Sequence, residues 1–157
     1  MTLVLGIDPS LSCTGWGLLE AEGSRIKHVA NGELKTDPKD PLEKRLAELH
    51  ERSKIIIKSY RPDRISIEEV FVNKNPQSTL KLAQARGAVI AACGSCGLSV
   101  NEYAPRLVKK SVVGTGQADK HQVQAMLKVL LPQAEITGPD AADALAIAIT
   151  DIHHSKT

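Results

Sequence analysis

The sequence predicts a mixed α/β fold, a five-stranded sheet with helices on both faces. Three observations carry that reading. Leu3-Val-Leu-Gly-Ile-Asp8 is an apolar run that ends in a carboxylate and turns at once through Pro9-Ser10. Ile65-Ser-Ile-Glu68 repeats the arrangement, a strand with an acid at its end. Stretches with helical spacing lie between and after these runs, so strands and helices alternate along the second half of the chain.

The elements follow in order. After the first strand, residues 14–20 and 25–36 read as two more, joined at Glu22-Gly23 in an antiparallel meander. Asp37 to Pro41 is a loop that ends as a helix start, where Asp40 can cap, Pro41 suits the first helical position and Glu43 completes a capping box. Leu42, Leu46, Leu49, Ile56 and Ile57 give this helix its apolar stripe as far as Tyr60, and Arg61-Pro-Asp63 stops it. Residues 65–72 form the next strand, 73–77 a polar loop, and 78–92 an alanine-rich helix carrying Lys81 and Arg86. A strand over 98–103 follows. Two short helices then flank Gly114-Thr-Gly-Gln117, the second capped by Asp119 with Gln122 three positions on. The last helix runs from Pro139 to His153.

At 157 residues the chain is expected to form one domain, 1–157, with a substantial core. Hydrophobic content of 42% and charged content of 24% are ordinary for a globular protein. No run is long and apolar enough to span a membrane and the N-terminus lacks a cleavable signal, so the expected location is the cytoplasm. A net charge of +2 does not announce a nucleic-acid binder, although a carboxylate cluster can mask a basic surface elsewhere. The three cysteines suit a reducing compartment. Cys93-Gly-Ser-Cys96 matches C-x-x-C, but it lies at a helix C-terminus, where no dipole lowers a thiol pKa, and no further zinc ligands stand at a convincing spacing. Both thiols therefore read as small packing residues.

The carboxylates are the candidates for chemistry. Val4, Gly6 and Asp8 share one face of their strand, and Ser66, Glu68 and Val70 one face of theirs; the small residue before each acid leaves room for a ligand. If the strands are parallel neighbours, both acids reach the carboxyl edge of the sheet, where open α/β sheets place their sites. Asp140 and Asp143, three apart on the last helix, project together, and Ala141, Ala142, Ala144, Ala146 and Ala148 let that helix approach the sheet. Clustered carboxylates repel unless protonated or bridged by a cation, and oxygen-only ligands favour Mg²⁺ or Mn²⁺. Two such ions about 3.5–4 Å apart can activate a water and stabilise the leaving oxygen in phosphodiester cleavage. Taken singly, Asp8 can simply begin a turn and Asp140 favour a helix N-terminus. Glu69 points to the opposite face and reads as solvated.

Gly6-Ile-Asp-Pro9 with Thr14-Gly-Trp-Gly17, Ile67-Glu-Glu-Val-Phe71, Lys81-Leu-Ala-Gln-Ala-Arg-Gly87, Val112-Val-Gly-Thr-Gly116 and Asp140-Ala-Ala-Asp-Ala-Leu-Ala-Ile-Ala148 resemble, in order and through nearly the whole chain, the RuvC family of Holliday junction resolvases. The resemblance implies a ribonuclease-H-like fold and a homodimer bound to a four-way DNA junction, nicking symmetrically opposed strands in recombination and repair. It implies two Mg²⁺ ions per subunit, with Mn²⁺ as a substitute, and the RuvA–RuvB branch-migration complex as a partner. Carried over by position, it makes Asp8, Glu68, Asp140 and Asp143 the catalytic acids, Lys109 and Lys120 the important lysines, and Phe71 the aromatic residue at the crossover. Ser10 stands where the family commonly has glycine, which puts the geometry of that turn in question. The sequence ends soon after His153-His154, without the longer basic tail of some relatives.

Phosphate contacts need cations on one surface. Lys74, Lys81, Arg86, Arg106, Lys109, Lys110 and Lys120 are the candidates for DNA binding; such runs are often only solvated faces, and it is the resemblance that raises Lys109 and Lys120. Those two flank Gly114-Thr-Gly116, whose backbone N–H groups can approach a phosphate, though no P-loop Gly-Lys-Ser/Thr follows. Phe71 by pattern alone is more often core; the resemblance turns it into a wedge at the strand exchange. Trp16 reads as core, and the alanine-rich face from Leu80 to Ala92 suits a symmetric dimer contact. Three alternatives stay open on residues alone. A phosphotransferase of the actin and sugar-kinase type shares Gly6-Ile-Asp-Pro-Ser10 with Thr14-Gly15 but needs two lobes; a non-cleaving junction binder would not need four acids; and a ribonuclease-H-like enzyme with another nucleic-acid substrate would carry the same acids.

Overall fold

The central strand is the one whose residues are apolar on both faces. In β1 (Thr2–Asp8), Val4 packs to one side and Leu5 and Ile7 to the other, so the strand is covered twice. The structure, a computed structural model, describes residues 1–70 and 74–155. β2 (Cys13–Glu22) and β3 (Arg25–Lys35) pair antiparallel beside β1, while β4 (Arg64–Glu68) and β5 (Val100–Tyr103) pair parallel on its other side, in the order β3-β2-β1-β4-β5.

Both parallel links run through helices, as parallel strands require. α1 (Leu42–Tyr60) and α2 (Pro76–Ser95) cover one face, where Leu49, Ile57, Val89 and Cys93 meet Leu5, Ile7, Leu18, Ile65 and Ile67. α3 (Pro105–Val113), α4 (Lys120–Leu130) and α5 (Pro139–His154) cover the other, where Val108, Val112, Leu127, Leu145 and Ile149 surround Val4 and Leu19. Among the described residues no helix is long and apolar enough to cross a membrane.

α5 is buried along most of its length and lies directly on β1 and β2. Glycines make that possible. A Cβ on Gly6 would collide with the Ala144 carbonyl, and one on Gly15 with the Asp140 carbonyl. The room predicted at Gly6 for a ligand is therefore filled by α5, a correction with a plain cause: alanines on glycine let the helix backbone at Ala144 and Ala148 settle directly onto the strand. The far end of α5 is anchored by the fully buried Asp151, which accepts hydrogen bonds from Arg64 Nε at 2.7 Å, Tyr103 OH at 2.7 Å and Asn101 Nδ2 at 3.0 Å.

Element ends differ from expectation where tertiary contacts compete. Asp40 does not cap α1; Pro41 holds the cap position without a side-chain bond, and Asp40 pairs with Lys44 instead. α2 starts earlier than predicted, at Pro76, because the Asn75 side chain accepts from the N–H groups of Gln77 and Ser78. β4 ends at Glu68 and β5 begins at Val100, the extent over which the two strands pair. The Asp119–Gln122 capping box of α4 forms as expected. Trp16 is half-buried, its ring tilted against Tyr60 at 5.8 Å between centroids.

Candidate active site

Asp8 ends β1 and Glu68 ends β4. The parallel register pairs Gly6 with Ser66 and Ile7 with Ile67, so the two acids arrive side by side on the face that α5 covers. The first turn of α5 sits over Gly15, the β2 residue opposite Asp8, and hangs Asp140 and Asp143 above the same edge. Carboxylate oxygens of Asp8, Asp140 and Asp143 lie within 4.8 Å of one another. Asp8, Glu68 and Asp143 share a cavity of about 170 Å³ with Lys109 from α3 and Lys120 from α4, the rest of its wall being Val108, Val123, Ala146 and Ile147. Four acids and two lysines from five elements are thereby brought together.

The electrostatics follow from that crowding. Burial, then the negative charges of Asp143, Glu68 and Asp140, push the Asp8 carboxyl up to about 7 against the opposing pull of Lys120. Burial also raises Glu68, with Asp143 adding to it and Lys109 and Lys120 working the other way. Asp143 is raised by burial although Lys120 Nζ stands 3.4 Å away, and Asp143 in turn raises the ammonium of Lys120. The Lys120 side chain is 76% exposed, so its pairing with Asp143 is a solvated contact that does not neutralise the cluster. Carboxyls lifted out of their ordinary range around one point are what a divalent cation reverses. The donors are all oxygen, the chemistry of a hard cation.

The remaining predicted residues divide. Arg86 lines a groove of about 280 Å³ beside Asp8 and Glu68, and its guanidinium is engaged with Glu102. Lys81 lies farther out, lining a separate hollow of about 350 Å³ with Ser10 and Arg45. Lys74, Arg106 and Lys110 are exposed and line neither the acid cavity nor the groove beside it. Phe71 lies outside the described residues. The Gly114 N–H is not free for a phosphate: it donates to the Lys110 carbonyl, 2.9 Å away, as the left-handed cap of α3. Ser10 leaves its turn intact. Its N–H donates to Thr14 Oγ1 at 3.1 Å, the Thr14 hydroxyl donates back to the Ser10 carbonyl at 2.7 Å, and its φ is not positive.

Two residues near the acids were not anticipated. Cys13 Sγ and a Glu33 carboxylate oxygen lie with Asp140 within 4.8 Å, and burial together with a hydrogen bond to Asp140 pushes the Cys13 thiol up to about 12. Neither carries a motif; only the sheet register, which sets Glu33 opposite Gly15, brings them there. Burial pushes Cys93 up to about 11, the reverse of an activated redox thiol.

A sheet ordered β3-β2-β1-β4-β5, with acids at the ends of its central parallel strands and on the helix that crosses them, defines a ribonuclease-H-like protein with an acidic site that has the donor set of a hard cation. The chain belongs to the RuvC family: the family model for crossover junction endodeoxyribonuclease RuvC matches residues 4–151. The chain is 68% identical over 151 residues to the crossover junction endodeoxyribonuclease RuvC of Erythrobacter litoralis, covering 96% of this chain and 93% of that one. It is 59% identical over 154 residues to that of Sphingopyxis alaskensis, covering 98% and 99%. Among solved structures, T. thermophilus RuvC in complex with a Holliday junction substrate matches at a TM-score of 0.92 and 31% identity, covering 99% and 95%. The yeast mitochondrial Holliday junction resolvase Ydc2, at 14% identity and a TM-score of 0.67 over 94% and 76%, shares the fold.

Proposed function

We propose that this chain is a structure-selective endonuclease that resolves four-way DNA junctions by paired symmetric nicks in recombination and repair. The observation that carries the reading is the convergence of Asp8, Glu68, Asp140 and Asp143 at one sheet edge, beside Lys109 and Lys120, in a chain of the RuvC family. Those four acids would hold Mg²⁺, two ions per subunit, with Mn²⁺ able to substitute. Bound there, the ions supply an activated water and stabilise the oxygen that leaves the phosphodiester.

The chain's own residues do the rest. The apolar wall of Val108, Val123, Ala146 and Ile147 keeps bulk water from one side of the acids, which strengthens every charge interaction inside. Lys120, beside Asp143, offers its ammonium to the charge that develops on the phosphate, and Lys109 does so from the wall of the same cavity. Lys74, Lys81, Arg86, Arg106 and Lys110 act as backbone contacts that position the duplex arms, and Phe71 as the wedge at the crossover. The working unit is a homodimer of single 1–157 domains in the cytoplasm, its two sites addressing opposed strands, with RuvA–RuvB as the partner that supplies the junction.

The test is cleavage of a synthetic four-way junction beside a linear duplex of the same sequence, with Mg²⁺ and with chelator. Symmetric nicks in the junction alone, lost in chelator, are expected. Equal cutting of the duplex or of an RNA–DNA hybrid would discard the junction as substrate, and binding without cleavage would discard the nuclease.

A further inference from the structure

We propose that Glu33 and Asn31, on the edge strand β3, are positioning residues that hold the first turn of α5, and with it Asp140 and Asp143, in register over the end of β1. The sheet register puts them there. Asp8 pairs with Gly15 and Gly15 with Glu33; one row back, Gly6 pairs with Gly17 and Gly17 with Asn31. Residues directly opposite share a face. Glu33 and Asn31 therefore stand on the far side of α5 from Asp8, with only glycine between.

The N–H groups of Asp140 and Ala141, at the helix start, are taken up by that strand. α5 has no side-chain cap of its own, because Gly138 holds the cap position. Pro139 has no N–H. The N–H groups of Asp140 and Ala141 both donate to Glu33 Oε2, at 3.1 and 3.4 Å, and Ala142 N–H makes the first intrahelical bond, to the Gly138 carbonyl at 3.0 Å. A side chain at Gly138 would strike the Glu33 carboxylate. Just upstream, Asn31 Oδ1 accepts from Thr137 N–H at 2.9 Å and from the Thr137 hydroxyl at 3.1 Å, and Asn31 Nδ2 donates to the Glu135 carbonyl at 2.9 Å. Cap groups ordinarily come from the residue before the helix; here they come from more than a hundred residues earlier in the chain. Alanine on glycine sets how near α5 lies to the sheet but grips its axial position weakly. The directional bonds from β3 supply that missing restraint, and small displacements of a reacting constellation are costly in rate.

The effect on cleavage rests on the nuclease reading above; the clamp itself does not. Full-length Glu33→Ala and Glu33→Gln are compared with wild type in three measurements: amide exchange at Asp140 and Ala141 without metal or DNA, junction affinity in chelator, and single-turnover cleavage at saturating Mg²⁺. E33A is expected to lose protection at both amides and to cleave roughly tenfold more slowly with unchanged junction affinity. E33Q keeps the acceptor and is expected to recover both protection and most of the rate. Protected amides in E33A, or an E33Q as impaired as E33A, which would make the charge rather than the cap the cause, overturns the proposal. A wild type that does not cleave overturns the nuclease reading and leaves amide exchange to decide the clamp. Asn31→Ala, which releases the Thr137 and Glu135 contacts together with a bond to His28 on its own strand, carries the same test if E33A does not fold: slower cleavage at unchanged affinity is expected, and a wild-type rate refutes the positioning role.

Discussion

Holding Asp8 ionised in the folded, metal-free protein is costly, and the cost can be measured by removing the charge. Its carboxyl rises from 3.8 to about 7 on folding. At ~1.4 kcal/mol per unit, that shift amounts to roughly 4 kcal/mol of lost stability above the folded value. The folded pKa is the higher one, so the folded state binds this proton more tightly. The penalty is absent below about pH 4, grows as pH rises, and is complete above about pH 7. Asp8→Asn keeps the shape and removes the charge. In chelator at about pH 8, N-state stabilisation of this size should raise the melting temperature of the variant by about 10 °C over wild type. The gap should close near pH 4. Adding Mg²⁺ should raise the wild type far more than the variant, because the ion binds the charge that folding leaves uncompensated. Thermal unfolding followed by circular dichroism at the two pH values, with and without metal, measures all of this. A variant no more stable than wild type in chelator at the higher pH, or a gap that persists at the lower one, would refute the electrostatic account. Cleavage by the same variant should be abolished.

Other perturbations separate the site from its support. Lys120→Ala should slow cleavage by roughly 10–100-fold while leaving folding intact, because its ammonium is largely solvated but borders the acids; an unchanged single-turnover rate would return it to an ordinary surface lysine. Gly15→Ala drives a methyl into the backbone at Asp140 and should destabilise the protein by ~1–3 kcal/mol or more in denaturant unfolding. A fully stable variant would mean that α5 does not sit on β2 as described. Asp151→Ala strands Arg64 at the far end of the same helix and should cost about 3–5 kcal/mol with no direct effect on the acid cavity; loss of metal binding at preserved stability would contradict that separation.

Much of this protein is local and therefore legible in its sequence. Apolar runs that end in Asp8 and Glu68, the meander turn at Glu22-Gly23, the capping box of Asp119 and Gln122, and the acid pair at the head of an alanine helix depend on neighbours a few residues away. Those short-range rules specified the element order, the sheet class and the four acids. The misreadings are also local rules, overridden by competitors. Asp40 had a suitable cap spacing but a lysine one turn on, and Asn75 outcompeted the predicted start of α2.

What only the tertiary structure decided is how distant segments meet. Gly6 reads as space for a ligand until α5 is laid across it, and Glu33, which no motif marks, joins the site only because the register sets it opposite Gly15. The burial that lifts Asp8 to about 7 exists only once α3, α4 and α5 close around it. Residue type and spacing are written along the chain, whereas desolvation and long-range hydrogen bonding depend on which surfaces come together, and that is settled only when the helices pack on the sheet.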